Sequence, residues 1–561
     1  MPNGRVLAAI KTLRKHKRRH ALAHRLLSPA VLMALVLCSA ALAGHDDSRF
    51  QPGNLLVSRS VYDDNANNIH VGDVLPPGCL AACASAISDG TYPFVWNNDE
   101  VDGSFGITSK IYLDELTPAG ALVGSLEVPS DPHPGNSDHD QRGGRDILVT
   151  SFPSKSELAL NLSTDGTTVT FMGYVAPIDA LDVSNSNTAL APDPTNPVPA
   201  SHYRAVAQVD RNGNFKFTES NAYSGNNGRA AILNSGANVF YTAGNAGNGA
   251  DPQPAGILIG GGAQILAPTN KSEVAQRPGN PTPVGSFNIT QLGAPHDKLG
   301  KDNNFRGLTI FNNVVYFTKG SGGNGVNTVY FVDTNGGACP SGVGLPVAGA
   351  VLPNSALPYD PSLLATDGLN PNNMCILNGF PQILNSKLKK KTTAYPFGIW
   401  FADANTLYVA DEGDGAIADA GATPAGLQKW VFDAAAGQWK LRYTMQTGLG
   451  LGGTYAFPGD AAYPTGVNPA TGAAWAPITD GLRNITGRVN GDGTVTIWGI
   501  TSTVSGNGDQ GADPNKLVAI TDVLVNLSPA VGATESFVTV RTAGYGEVLR
   551  GVSFTPGTTP K

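Results

Sequence analysis

The chain has 561 residues, 41% of them hydrophobic and only 14% charged, with 68 Gly, 40 Pro and a formal net charge of −7. Its acidic balance makes nucleic acid and anionic membranes poor partners. Short apolar runs separated by turn formers exclude a helical bundle and point to an all-β protein.

Residues 1–43 read as a signal peptide. Arg5, Lys11, Arg14, Lys15, Lys17, Arg18, Arg19 and Arg25 form a basic n-region, followed by an apolar stretch ending in Ala41-Leu42-Ala43, a small-x-small cleavage signal. Arg18-Arg19 also fits a loose twin-arginine pattern, so the export route stays open. Cleavage after Ala43 removes eight basic and no acidic residues and takes the formal charge from −7 to −15. The remainder, 44–561, has no stretch apolar enough to span a bilayer as a helix and is expected to be secreted or periplasmic, and monomeric.

From residue 54 a strand pattern repeats. Strands NLLVSRSV, KIYLDEL and ALVGSLEV begin a blade whose first strand, LRGVSF (549–554), lies at the C-terminus. Between them five further copies of a strand–turn–strand unit occur: 156–174, 228–244, 305–320, 397–413 and 482–500. We number these blades one to five and the split copy six. The prediction is a six-bladed β-propeller closed by a C-terminal strand A that completes the N-terminal blade. Third strands follow: KIYLDEL, YRAVAQVD, AGILIGG, NTVYFVD, LQKWVFD and KLVAITD. The Asp that ends or nearly ends them (Asp114, Asp210, Asp333, Asp433, Asp522) reads as a turn cap. Fourth strands are clear in NFKFTES, QWKLRYT and SFVTVRT and obscure in blade three.

Blade geometry sends B–C and D–A connections to one face, called the top, and A–B and C–D connections to the other. The long insertions 63–108, 130–155, 176–201, 268–304 and 446–481 are all top connections; about 335–380 is a bottom one. Long connections carry function more often than short ones, so the top is the expected binding face. Four Cys follow the signal peptide, and the favoured pairings are Cys79–Cys83 and Cys339–Cys375, each within one insertion. A CxxxC metal site is the alternative for the first pair.

Strand A opens with Arg in four blades: Arg229, Arg306, Arg483 and Arg550; blades one and four have Glu157 and Phe397 there. Converging guanidinium groups would bind a carboxylate or phosphate. The competing reading is that each Arg struts one blade to the next. B–C loops carry Gly with Asn or Asp, which is turn chemistry. Alternatively, Asp411, Glu412, Asp414 and Asp509, with Glu157, would supply oxygen ligands to a divalent cation such as Ca²⁺. The polar loop 131–146 contains His139, and 295–304 contains His296. Either His is a candidate general base, with Glu157 the further catalytic candidate, or, in the first loop, a transition-metal ligand beside Asp; the alternative is a solvated loop. The basic run SKLKKK (386–391) reads as a solvated approach to strand A. No G-x-S-x-G, H-E-x-x-H or phosphate loop is present.

Tyr395-Pro396-Phe397-Gly398-Ile399, followed by Leu407-Tyr408-Val409-Ala410-Asp411, resembles the blade motif of the NHL and SMP-30/gluconolactonase-like propellers. The likeness covers one blade and lacks the Asn-x-Arg-Ile continuation of NHL repeats. It implies six blades and, for lactonase-like relatives, a divalent cation held by Glu, Asn and Asp at the channel mouth; Glu157 and Asp411 stand at strand ends suited to that role. Two functions follow as expectations. One is an exported propeller that binds a small anionic ligand or an extracellular macromolecule through its top face. The other is a metal-dependent hydrolase of lactonase or esterase type acting on an anionic substrate.

Overall fold

The computed structural model describes residues 49–560, apart from 131–146, 190–192, 246, 251–261, 269–284, 287–303, 321–324, 335–336, 339–340, 355–373, 385–386, 390–391, 422–423 and 508–510. The predicted signal peptide, His139, His296, Asp509, Cys339 and the AGILIGG run lie outside the described residues.

Six sheets correspond to the six blades, antiparallel except where Val343–Gly344 adds a short parallel strand to blade three. Blade one is Asn161–Leu162 (A), Thr168–Tyr174 (B), Arg204–Asp210 (C) and Phe215–Ser220 (D). Blades two, four and five follow the same order, with strands A at Gly228–Asn234, Pro396–Asp403 and Ile478–Val489. In blade three, strands A to C are Phe305–Phe311, Val314–Lys319 and Thr328–Val332; D is Met374–Leu377, drawn from the bottom insertion. Strand C of blade two is Ala263–Leu266, beyond the run read from sequence. The split blade forms as expected: Glu547–Phe554 pairs antiparallel with Leu55–Val61, Leu55 opposite Phe554, and Thr108–Leu116 and Leu122–Glu127 complete the sheet.

Each strand A lies against strand A of the next blade, and the series closes from blade six back to blade one. Closure leaves no open seam for another chain to pair with. Cores sit between blades, where Val, Tyr and Phe of one sheet meet the next; Phe311 stacks on Phe401 at 4.5 Å across blades three and four.

Described parts of three top insertions, 63–108, 130–155 and 446–481, pack against one another. Residues 63–108 fold on a short hairpin (Val74–Leu75 with Ala84–Ser85) and a 3₁₀ turn at Phe94–Glu100, with Cys79 and Cys83 in a disulfide. Trp96 from this insertion stacks on Phe152 at 5.4 Å, and Tyr92 meets Tyr463 and Tyr545. Those contacts join the insertions before blades one and five into one aromatic roof. Cys375 is disulfide-bonded as well.

The turn-cap reading of the strand C aspartates holds in part. Asp210 accepts from the Asn212 and Asn214 N–H groups, Asp333 from Ala338 and Asp433 from Ala435 and Ala436. Asp114 instead pairs with Arg59 (2.8 Å) and Arg541 (3.1 Å). Asp522 pairs with Lys429 at 2.7 Å, both side chains wholly buried between blades four and five. The cation from the neighbouring blade, with the Tyr408 and Tyr443 hydroxyls that donate to Asp522, makes such burial tolerable.

Candidate anion site at the top of the channel

The arginine positions coincide with breaks in strand pairing. Register shifts fall between Gly228 and Ala230, Phe305 and Leu308, Pro396 and Ile399, and Leu482 and Ile485, and opposite Val57 and Arg59 where Arg550 and Gly551 sit. Arg229, Arg306, Phe397, Arg483 and Arg550 therefore each lie in a β-bulge, which re-aims a side chain and twists the strand. In blade one the equivalent stretch does not pair at all, and Leu158 takes a left-handed φ of 62°.

At the same level neighbouring strands A touch through their backbones. A Cβ on Gly398 would fall 2.5 Å from the Arg483 carbonyl oxygen, and one on Gly307 or Gly551 would overlap the carbonyl of Phe397 or Leu158. Asn484 donates to the Arg550 carbonyl (2.7 Å), the Ala159 N–H to the Arg229 carbonyl (3.3 Å), and Arg229 Nη1 to the Phe305 carbonyl (2.9 Å). Strand B hydroxyls strengthen two junctions: Ser58 accepts from the Gly551 N–H and donates to the Leu158 carbonyl, and Thr318 does the same between Gly307 and Phe397. All six blade junctions are thus pinned at one girdle, on which the arginines stand.

Above the girdle a cluster of cations gathers on the Glu412 carboxylate. Glu412 follows strand B of blade four, the blade with Phe397 in place of Arg, and is 2% exposed. Its carboxylate lies 3.6 Å from Arg306 Nη2, 3.4 Å from Arg483 Nε and 3.5 Å from Lys155 Nζ. Burial opposes its ionisation, but Lys155, Arg306, Arg483 and Arg229 outweigh it and hold the carboxyl below its ordinary range. Arg229 is driven well below the usual guanidinium range by burial and then by Arg306; Arg306 is lowered by burial, with Arg483 adding to the effect against Glu412. Arg306 Nη1 donates to Ser156 Oγ, its guanidinium lies over the Phe397 ring, and its Nε meets no acceptor among the described residues. Arg229 also donates to Asn227 and Asn304, while Arg550 donates to Ser60 (3.1 Å) and the Ser154 carbonyl (2.7 Å). The two readings of the Arg set therefore divide by residue: Arg550 struts blades, Arg229 does so while still contributing its charge, and Arg306 and Arg483 aim at a carboxylate.

Glu157 is buried beside this cluster. It accepts from Thr150 Oγ1 (2.6 Å), the Ser151 N–H and the Tyr174 hydroxyl, and burial raises its carboxyl despite those bonds. Asp411 is raised to about 7 by burial, with Glu412 and Asp480 adding to it; its oxygens accept from the Tyr395 and Gly413 N–H groups. Asp414 accepts from the Ala416 N–H.

Asp480, three residues before Arg483, escaped the sequence reading. Its Oδ2 accepts from the Gly415 N–H (2.8 Å), its Oδ1 has no hydrogen-bond donor among the described residues, and burial, Asp414 and Glu412 raise it to about 6. Gly413 (φ +83°) makes room for it: a side chain there would strike the Asp480 carboxyl. The available sequence signals were that glycine inside an Asp-Glu-Gly-Asp run and the Asp-x-x-Arg spacing.

Among the described residues, no group of three or more His, Cys, Asp or Glu side chains is placed to hold a metal ion. Among the described residues, Asp411 accepts from the Tyr395 and Gly413 N–H groups and from Gln428, and Glu412 is flanked by cations; Asp509, the remaining acidic candidate of these loops, lies outside the described residues.

No protein-family profile and no curated protein matches the chain. Among solved structures, a periplasmic gluconolactonase from Pseudomonas aeruginosa is similar over 90% of this chain and 99% of its own, at 11% identity and a TM-score of 0.37. A Lactobacillus plantarum protein is similar over 80% and 98% (11%, TM-score 0.32), and an ulvan lyase, described as a new family of polysaccharide lyase, over 88% and 96% (11%, TM-score 0.26). The propeller assignment rests on this chain's own sheet order, strand ends and closing blade.

Proposed function

We propose that this protein is an exported propeller that binds a small ligand carrying a carboxylate or phosphate at the top of its channel, without catalysis. The supporting observation is the gathering of cations at one point. Lys155, Arg306, Arg483 and Arg229 all act on the buried Glu412 carboxylate and hold it below its ordinary range, while burial pushes Asp411 up to about 7 and Asp480 up to about 6. A neutral ligand leaves those cations repelling one another; an anion relieves that repulsion and accepts from guanidinium donors. Lys155, 27% exposed at its side chain, is the cluster's solvent-facing member and the first contact for an incoming anion. The Cys79–Cys83 disulfide supports an oxidising compartment.

The test is calorimetric titration with inorganic phosphate and with citrate. Arg306→Ala together with Arg483→Ala is expected to weaken binding by one to two orders of magnitude, since a hydrogen bond to a charged group is worth about 1.5–3 kcal/mol. Equal binding by the double variant and the parent would sink the reading.

A second reading, a hydrolase of lactonase or esterase type acting on an anionic substrate, draws on Asp480. A carboxyl raised to about 6 next to an ionised Glu412 is a pair of acids with separated roles, one able to give and take a proton near neutrality. Its test is turnover of lactones and esters with a pH–rate limb near 6 that Asp480→Asn removes.

A further inference from the structure

Below the girdle, where strands A end and the A–B turns begin, lies a cavity of about 560 Å³. Neither Glu412 nor any of the girdle arginines lines it, so it is separate from the cationic site. We infer that it is a second ligand site, at the bottom mouth of the channel, for an uncharged polyhydroxylated molecule such as a neutral di- or trisaccharide.

Three observations carry this. The first is charge. Among the lining residues only Arg488 is ionic, and it lies exposed with its guanidinium 5.6 Å from the Trp498 ring centre. Among the described residues no carboxylate lines the cavity, so a cationic ligand finds no counter-ion there and an anionic one finds a single, already stacked partner. The second is the lining's polarity. The Thr309 and Thr486 hydroxyls and the Asn312 and Asn313 carboxamides border the cavity, and none of these four side chains bonds within the described protein. Hydroxyls and carboxamides both donate and accept, which suits a ligand whose own hydroxyls do both; a wholly apolar ligand would strip them of water at a cost. The third is aromatic surface. Trp400 and Phe311 are only partly buried and line the same space; each already stacks on a neighbour, Tyr408 and Phe401, so what they offer a ligand is the apolar ring surface left over, beside polar groups that fix orientation.

The local backbone is built for this. Asn312 and Asn313 form the A–B turn of blade three with φ of 48° and 60°, a left-handed pair that Asn tolerates, and both are exposed. Gly487 lets the Trp400 ring lie against the backbone of blade five, since a Cβ there would come within 2.7 Å of the indole. The cavity also has room to extend. A neighbouring space of about 520 Å³ shares Phe311, Asn312 and Asn313 and runs under Leu345–Ala350 of the bottom insertion. Each volume falls in the usual range of small-molecule pockets, and a ligand of two or three rings would use both.

The experiment is calorimetric titration of the intact protein with maltose, cellobiose and lactose. At least one is expected to bind with a millimolar dissociation constant. Thr309→Val with Thr486→Val, which keeps side-chain shape, is expected to weaken that binding on the order of tenfold and to leave the response to phosphate unchanged. Asn312→Gly with Asn313→Gly, compatible with the turn, is expected to do the same. Absence of binding by all three sugars overturns the proposal. So does binding that survives both double variants, or binding of glucuronate with none of the neutral sugars. Because phosphate reports the upper site and the sugars the lower one, failure of either reading leaves the other standing.

Discussion

Glu412→Gln tests the upper site most sharply. The substitution keeps size and shape and removes one charge from within 3.6 Å of Arg306, Arg483 and Lys155. Removing one partner of a buried ion pair costs about 3–5 kcal/mol, because the remaining charge stays out of water. The unfolding entropy of about 2.1 cal/mol/K per residue gives roughly 1 kcal/mol/K over a folded unit of roughly 500 residues. The melting temperature is therefore expected to fall by about 3–5 °C at low ionic strength. Phosphate is then expected to restore much of the loss, since an anion at a hundredfold excess over its dissociation constant returns about 2.7 kcal/mol. The parent protein, with its own carboxylate in place, is expected to gain less. The assay is thermal unfolding of parent and variant across a phosphate series, with choline chloride as the ionic-strength control. A variant within about 0.5 kcal/mol of the parent that gains no more from phosphate would refute the reasoning.

Gly398→Ala is expected to destabilise by about 1–3 kcal/mol in denaturant unfolding, because its Cβ would lie 2.5 Å from the Arg483 carbonyl oxygen, whereas Gly491→Ala, with nothing within 4 Å, is expected to change little. Asp411 carries a pH signature. Its carboxyl is raised on folding from 3.8 to about 7, so the folded state holds the proton more tightly. Its contribution favours folding fully below about pH 4 and is lost as pH rises to about 7, a change on the order of 4 kcal/mol. Asp411→Asn is expected to flatten that part of the stability–pH curve; an unchanged slope would contradict the assignment. Lys429→Met leaves Asp522 buried without its cation and is expected to cost about 3–5 kcal/mol, with the added Asp522→Leu recovering part of it in a double-mutant cycle.

The propeller was legible in the sequence because its signals are local. Each blade repeats an apolar run, a polar turn and a second apolar run, and the broken copy at 549–554 has only one sheet it can complete, the one beginning at Leu55. The arginine positions were legible for the same reason. What they do was not, because a guanidinium's partner is chosen by the bulge that turns it and by the neighbouring blade. The Arg-Gly pairs at 306–307 and 550–551 and Phe397-Gly398 did hint at that bulge, since glycine within a strand marks a close approach. Asp480 was missed because nothing nearby in sequence announces that Gly413, from the preceding blade, leaves space for it. The top insertions were expected to be working loops. Trp96, Phe152, Tyr92 and Tyr463 draw described parts of three of them into a packed roof, a long-range consequence of aromatic residues spread over nearly four hundred positions of chain.

The most direct test of the account is where an anion sits. Crystals soaked in selenate, read by anomalous difference density, are expected to give a peak within hydrogen-bonding distance of Arg306 and Arg483 at the top of the channel, with Lys155 beside it. Peaks confined to the protein surface, with none at those arginines, would contradict it.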